Sequence, residues 1–132
     1  MVHHTGADGP SQFLKINASH KARGFPKRGR YHTAYHYVVE SDGTVLQAHP
    51  DSVPLGHTRN GRINLHSIAI VLAGNFEHHA VPQKQRMALK ALLRSLKEMY
   101  GVSENKIIGH REASATTCPG RYLNDIIKHF IF

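Results

Sequence analysis

Alternating and continuous runs of apolar residues predict several short β-strands. Residues 34–40 alternate along the chain and would place Tyr35, Tyr37 and Val39 on one face of a strand. After a turn that contains a glycine, residues 44–48 predict the returning strand of a hairpin.

A continuous apolar run and two shorter segments add further strands. Residues 67–72 are almost all apolar, which is typical of a strand buried on both faces. Residues 2–5 and residues 106–109 predict two more short strands, near the two ends of the chain.

Three segments have the periodicity of amphipathic helices. The strongest spans residues 82–100, with Pro82 in its first turn and Gly101 just past its end. Its apolar stripe consists of Ala88, Leu89, Leu92, Leu93, Leu96 and Met99. A second helix is predicted at residues 11–20, with an inner side formed by Phe13, Leu14 and Ala18. The third should begin at Pro119, and its inward residues are Tyr122, Leu123, Ile126, Ile127 and Phe130.

Strands alternate with helices, which predicts an α/β fold with a mixed sheet. The length of 132 residues indicates one domain, residues 1–132, with a core of its own. No apolar run approaches the roughly 20 residues that a membrane-spanning helix needs, so we expect no membrane span. No secretory signal is visible, because two histidines follow the first two residues, and the cellular location stays unassigned.

The chain is strongly basic. It carries 17 Lys and Arg residues against 9 Asp and Glu, a formal net charge of +8. Five of these cations lie in residues 21–30, which also contain Gly24, Pro26 and Gly29 and therefore predict an exposed basic loop. This charge favours an anionic partner such as nucleic acid, anionic lipid or an acidic wall polymer, without selecting one of them.

The single cysteine and the many histidines indicate metal chemistry. Cys118 is alone and forms no internal disulfide, but with twelve histidines it offers zinc ligands. If Pro119 is the first helical residue, Cys118 occupies the helix cap, where the helix dipole should lower the pKa of its thiol. His110 follows one predicted strand and His3 lies on another, so these two residues could complete a set of three ligands.

Other sets of histidines compete with this one. His32 and His36 are four residues apart, a spacing that aligns side chains on a helix. The local pattern is that of a strand, however, where residues four apart are separated by about 13 Å. One zinc ion cannot bridge that distance, so we discount this pair.

Six short motifs together resemble the type 2 N-acetylmuramoyl-L-alanine amidases, a superfamily that includes zinc amidases of bacteriophages and animal peptidoglycan recognition proteins. Each motif alone is weak, but they occur in the family's order and cover nearly the whole chain. They are VHHTG at 2–6, AYHYVV at 34–39 with DGTV at 42–45, GHT at 56–58, SIAIVLAG at 67–74, GHRE at 109–112 and TTCPG at 116–120.

The resemblance implies a central mixed sheet flanked by helices, with zinc in an open groove. It implies His3, His110 and Cys118 as the zinc ligands. The family's catalytic tyrosine falls on Tyr35, which would either orient or deprotonate the attacking water or stabilise the oxyanion. A polar residue that assists the oxyanion falls on Thr116. A histidine that lines the substrate groove falls on His57, whereas His36 should be structural because it faces away from Tyr35.

Two features depart from the family pattern. Only two residues precede His3, so its strand is short and should be prone to fraying. Some relatives carry a glutamate where this chain has Val71, so a mechanism based on glutamate is not expected here and more of the chemistry falls to Tyr35.

The resemblance implies a zinc-dependent amidase that cuts the bond between N-acetylmuramic acid and L-alanine in peptidoglycan. A compact chain of this kind looks like a phage endolysin, which would stay in the host cytoplasm until release and then act on the cell wall. We expect a monomer whose partner is peptidoglycan. The alternative is a peptidoglycan-binding module without catalysis, but Cys118 argues for the enzyme. No nucleic-acid partner is expected, since no motif of that class is found.

Overall fold

The structure, a computed structural model, describes residues 1–130 as a small sheet packed between helices. The elements along the chain are β1 (Val2–His4), α1 (Gln12–Ala22), β2 (Tyr37–Val39), β3 (Val45–Gln47), α2 (Gly61–His66), β4 (Ile70–Leu72), α3 (Gln83–Tyr100) and α4 (Arg121–Lys128), with 3₁₀ turns at Glu104–Lys106 and His110–Glu112. Within residues 1–130, none of the helices has the length and apolar character needed to cross a membrane.

The four strands form one mixed sheet in the order β1-β4-β2-β3. Strands β1, β4 and β2 are parallel, and β3 is antiparallel to β2, so the predicted mixed α/β sheet is confirmed. The outer side of β1 is covered, because Val2 N donates to Ile108 O at 2.8 Å and Val2 bridges to Gly109. Strand β1 is therefore held at both edges and His3 within it is 1% exposed, so the expectation that His3 frays was wrong.

The two faces of the sheet are packed differently. Helices α3 and α4 cover one face, where the core includes Val2, Tyr37, Val39, Ile70, Leu72, Phe76, Leu89, Leu93, Leu96, Leu123 and Ile127. On the other face, Phe13 and Ile16 of α1 pack against Val38 and Val71. His3 is in register with Val71 and so projects from the α1 face.

The N-terminus of α1 is capped by a residue distant in sequence, because its own N-cap residue, Ser11, makes no capping hydrogen bond with its side chain. The Glu40 carboxylate, which is buried, accepts hydrogen bonds from Gln12 N at 2.9 Å and Phe13 N at 2.7 Å. These N–H groups have no partner within the helix, and an anion at this end is favoured by the helix dipole. Glu40 thus fixes α1 against the end of β2.

Helix α3 matches the prediction closely. It starts directly after Pro82 and ends directly before Gly101, whose φ of 62° suits glycine. The fully buried Gln85 fastens the helix to the sheet, since its Nε2 donates to Val39 O at 3.2 Å and Ala73 O at 2.8 Å.

Four residues predicted to face inward are exposed, and one of them is Ala18 of α1. Leu14 is 67% exposed, Met99 66% and Tyr122 38%. In α1 the buried pair is Phe13 and Ile16, three residues apart, so the inner side of the helix is rotated from the one predicted. Met99 and Tyr122 lie at the edges of the apolar stripes of their helices and do not pack in the core.

The strand predicted at residues 34–40 is shorter, and its alternation is broken. The N–H groups of His36 and Tyr37 both donate to Ala69 O, at 2.9 and 3.2 Å, so two residues oppose one as in a β-bulge. Tyr35 consequently packs with the α1 side of the sheet and Tyr37 with the α3 side. The prediction that they share a face was wrong.

Two further boundaries differ near the C-terminus. Residues 106–109 form no strand beyond the single bridge of Gly109 to Val2. Helix α4 begins at Arg121 rather than at Pro119, because Gly120 has a φ of 88°, which is incompatible with a right-handed helix. Cys118 is therefore not a helix cap.

Candidate metal centre

Three side chains with metal-ligating atoms converge beside β1. One ligand atom from each of His3, His110 and Cys118 can be chosen so that all lie within 4.8 Å of one another. Cys118 Sγ is 3.7 Å from His3 Nδ1, and the rings of His3 and His110 are 4.6 Å apart between centroids. In the part of the chain that the structure describes, this is the group of three such residues that could hold a metal ion.

Each of the three is positioned by a separate element. His3 lies in the middle of β1 and is 1% exposed. His110 opens a 3₁₀ turn directly after Gly109, which bridges to β1. A side chain at Gly109 would collide with Asn124 Oδ1 and with Pro119 Cδ, so glycine allows the His110 segment to approach the Cys118 segment.

The Cys118 thiol is held by the backbone of β1. His4 N donates to Cys118 Sγ at 3.4 Å, which favours the thiolate, but burial is the larger effect and raises the pKa of the thiol to about 11. The prediction that a helix cap lowers this pKa was wrong, because the thiol lies three residues before α4. A cation bound between the three side chains would reverse this preference.

The donor set and its spacing fit zinc. Two nitrogens and one sulfur leave the fourth tetrahedral position open, as in catalytic zinc sites. Zn–S and Zn–N bonds of about 2.3 and 2.1 Å at a tetrahedral angle would place sulfur and nitrogen about 3.6 Å apart. The observed separation of 3.7 Å between Cys118 Sγ and His3 Nδ1 is close to this value.

Tyr35 borders the cluster. Its ring centroid is 5.0 Å from that of His3 and 5.5 Å from that of His20. Burial raises the pKa of Tyr35, and the nearby Cys118 raises it further. The Tyr35 hydroxyl therefore keeps its proton at neutral pH and is available as a hydrogen-bond donor.

Thr116 lies on the loop that carries Cys118. Its Oγ1 accepts a hydrogen bond from Cys118 N at 3.2 Å, and the residue is half-buried. Because the oxygen accepts this bond, the hydroxyl proton remains free to be donated elsewhere.

His57 is buried directly behind His3. His57 Nδ1 lies 3.0 Å from His3 Nε2, and His57 Nε2 lies 2.9 Å from Ser67 Oγ. Burial lowers the pKa of His57 to about 3 and lowers that of His3 well below its usual value, so both rings are neutral at pH 7. Both nitrogens of His57 thus have partners within the protein. That it binds substrate stays a prediction.

The remaining histidines near the site have structural partners. His4 Nδ1 accepts from Phe76 N at 3.1 Å, on the side of the sheet opposite His3. His36 Nδ1 accepts from Ala69 N at 2.9 Å, and its Nε2 lies 2.7 Å from Val53 O. The structural role predicted for His36 is confirmed by these contacts.

Comparison with known proteins decides the family. The sequence pattern of the family described as N-acetylmuramoyl-L-alanine amidase matches residues 1–121. This chain belongs to that amidase family. A peptidoglycan-recognition protein of Drosophila simulans is 30% identical over 115 residues, which are 86% of this chain and 59% of that protein. The chain thus spans little more than half the length of this relative.

Solved structures of the amidase family have the same fold. The amidase LysC from Clostridium intestinale URNW is 28% identical, with a TM-score of 0.79 over 95% of this chain and 78% of that one. The recognition protein PGRP-SA of a bumblebee is 26% identical, with a TM-score of 0.82 over 98% of this chain and 79% of that one. Both amidases and recognition proteins are therefore similar to this member of the family.

The amidase fold brings together the predicted residues His3, His110, Cys118 and Tyr35, whereas Thr116 contacts the group through Cys118 N. One residue next to the site was not predicted from the sequence. It is Ser67, whose Oγ lies 2.9 Å from Nε2 of His57. Ser67 opens the motif at 67–74, whose apolar residues predict only a strand. A polar residue opening an otherwise apolar run was the available signal.

Proposed function

We propose that the protein is a zinc-dependent N-acetylmuramoyl-L-alanine amidase that hydrolyses the amide between the lactyl group of N-acetylmuramic acid and L-alanine in peptidoglycan. The observation that carries the proposal is the convergence of ligand atoms of His3, His110 and Cys118 within 4.8 Å of one another, with Cys118 Sγ and His3 Nδ1 at 3.7 Å. Family membership supports the reaction, and similarity to the endolysin amidase LysCS from Clostridium intestinale URNW supports an endolysin that degrades the cell wall.

Zinc held by these three residues would polarise the scissile carbonyl and activate the attacking water. The chain's own residues supply the rest. The protonated hydroxyl of Tyr35, beside His3, donates a hydrogen bond to the oxygen that gains negative charge during attack. The free proton of Thr116 Oγ1 is donated to the same oxygen from the Cys118 loop.

The second candidate is a peptidoglycan-binding module without catalysis. It is favoured by the recognition proteins among the relatives, which include the one from Drosophila simulans. Both functions require that the protein bind peptidoglycan, but only the amidase needs Cys118. The presence of the complete ligand set in this chain favours the amidase.

Zinc content and amide cleavage measured on the same preparations test the proposal. The unaltered protein should bind one zinc per chain and release new amino termini of L-alanine from purified peptidoglycan. Cys118→Ala should lose stoichiometric zinc and cleavage. The matched control is His66→Gln, which changes an exposed histidine outside the cluster and should retain both.

Two results would contradict the proposal. Full zinc content and activity in Cys118→Ala would show that the ligand assignment is wrong. An unaltered protein that binds zinc and sediments with peptidoglycan, yet releases no amino termini, would establish the binding module instead.

A further inference from the structure

A chain of hydrogen bonds runs from the candidate metal centre to the backbone of α2. It starts at His3 Nε2, passes through both ring nitrogens of His57 and reaches Ser67 Oγ, which lies 2.6 Å from Ile63 O. His57 is 7% exposed and His3 1%, so solvent does not substitute for these partners.

The direction of each bond follows from counting protons. Ile63 O only accepts, so the single hydroxyl proton of Ser67 is donated to it. Ser67 Oγ must then accept from His57, which places the proton of the neutral His57 ring on Nε2. His57 Nδ1 consequently has a lone pair and accepts from His3 Nε2–H.

The hydrogen bond that His3 makes with His57 determines which ring nitrogen of His3 carries the lone pair. With its proton on Nε2, the neutral imidazole of His3 carries its lone pair on Nδ1. This is the nitrogen that lies 3.7 Å from Cys118 Sγ. In the opposite tautomers, a proton on His3 Nδ1 would lie between His3 and Cys118 Sγ. The lone pairs of His57 Nε2 and Ser67 Oγ would also face each other with no proton between them.

We propose that His57 and Ser67 are positioning residues that lock His3 in the tautomer required for metal binding through Nδ1. The inference rests on the proposed zinc site and extends it to two residues outside the three proposed ligands. The bond made by one imidazole nitrogen sets which nitrogen binds metal, and removal of such a partner typically lowers metal affinity about 10- to 100-fold.

The primary test measures tautomers without metal. Long-range ¹H–¹⁵N spectra of the metal-free protein at pH 7.5 should show both His3 and His57 protonated on Nε2. In Ser67→Ala the His57 ring loses its acceptor, and both histidines should shift toward a mixture of tautomers. Ser67→Thr keeps the hydroxyl in an extended backbone position and is the matched control, with unchanged spectra.

Zinc affinity, measured by competition with a chromophoric chelator, is the second readout. Ser67→Ala should bind zinc about 10-fold more weakly and His57→Ala about 10- to 100-fold more weakly, whereas Ser67→Thr should stay within about threefold. In His57→Asn, the amide oxygen replaces Nδ1 as the acceptor and should recover part of the lost affinity.

Two results would overturn the inference. One is a His57 ring protonated on Nδ1 in the unaltered protein. The other is Ser67→Ala with unchanged tautomers and unchanged zinc affinity. If the unaltered protein bound no zinc while both histidines were protonated on Nε2, the proposed function would fall and the hydrogen-bond chain would stand.

Discussion

Replacing Gly120 by alanine tests how the turn before α4 holds Cys118 in place. Gly120 has a φ of 88°, and a Cβ added there would lie 2.5 Å from Glu77 N and still closer to the carbonyl carbon of Phe76. These are backbone atoms, which cannot rotate away as a side chain would. The turn must therefore shift, and Cys118, two residues earlier, shifts with it.

The loss of stability expected in Gly120→Ala has two parts. With φ 88° and ψ 150°, Gly120 has a backbone conformation that costs a residue other than glycine about 1–3 kcal/mol. Forcing extra volume into a packed site adds about 1–3 kcal/mol. We expect Gly120→Ala to lower the free energy of unfolding by about 2–6 kcal/mol, which for a domain of this size lowers Tm by roughly 7–20 °C.

Gly101→Ala is the matched control. Gly101 also has a positive φ, 62°, but nothing lies within 4 Å of a Cβ added there. It should show only the backbone cost of about 1–2 kcal/mol and an unchanged zinc affinity. Gly120→Ala should bind zinc measurably more weakly, because its Cys118 is displaced.

Thermal unfolding with a chelator present and zinc affinity by competition measure the two effects separately. If Gly120→Ala matched Gly101→Ala in both Tm and zinc affinity, the contact with the backbone of Phe76 and Glu77 would not position Cys118. The reasoning from geometry would then be refuted.

Three further predictions address the site, the pH dependence and the substrate. Tyr35→Phe should retain zinc and Tm but lose about 10²–10³-fold in kcat, and cleavage within a few-fold of the unaltered protein would show that the hydroxyl is not catalytic. Burial lowers the pKa of His20 from 6.5 to about 4, and its Nδ1 accepts from Ala34 N, so between pH 6.5 and 4 the unfolded chain binds a proton that the folded chain does not. The unaltered protein should therefore lose about 3 kcal/mol more stability than His20→Asn on going from pH 7 to pH 4, measured by urea unfolding, and equal losses would contradict this assignment. Binding to peptidoglycan should weaken at high salt, because the chain carries a net charge of +8 and screening shortens the Debye length to about 3 Å at 1 M; sedimentation that is independent of salt would exclude this contribution.

The fold was predictable where hydrophobic periodicity was strong. Helix α3 has 18 residues and clear end signals, and its bounds are nearly those predicted. Strand β4 is buried as its continuous apolar run indicated. Each of these elements is determined by its own residues and their burial.

The errors arose where a distant partner determines local structure. The bulge that separates the faces of Tyr35 and Tyr37 depends on Ala69 O, a backbone atom that leaves no mark in the sequence around residue 36. The capping of α1 by Glu40 likewise joins residues 27 and 28 positions apart. Local patterns carry no information about such contacts.

The sequence predicted which residues form the candidate site but not the contacts that hold them in place. His3, His110 and Cys118 were identified from the order of the motifs, although spacing alone left other histidines as competitors. Burial raises the pKa of the Cys118 thiol, and tertiary packing brings His57 against His3. Both depend on contacts of β1 with residues more than 50 positions away in the sequence.

Identification of the bond that is cut is the measurement that tests the central claim most directly. Purified peptidoglycan is incubated with the zinc-loaded protein, and the soluble products are analysed by mass spectrometry together with labelling of new amino termini. The account predicts new amino termini of L-alanine in equal number to freed lactyl carboxylates, and neither product with Cys118→Ala. New reducing sugar ends, or amino termini of any other residue, would contradict it.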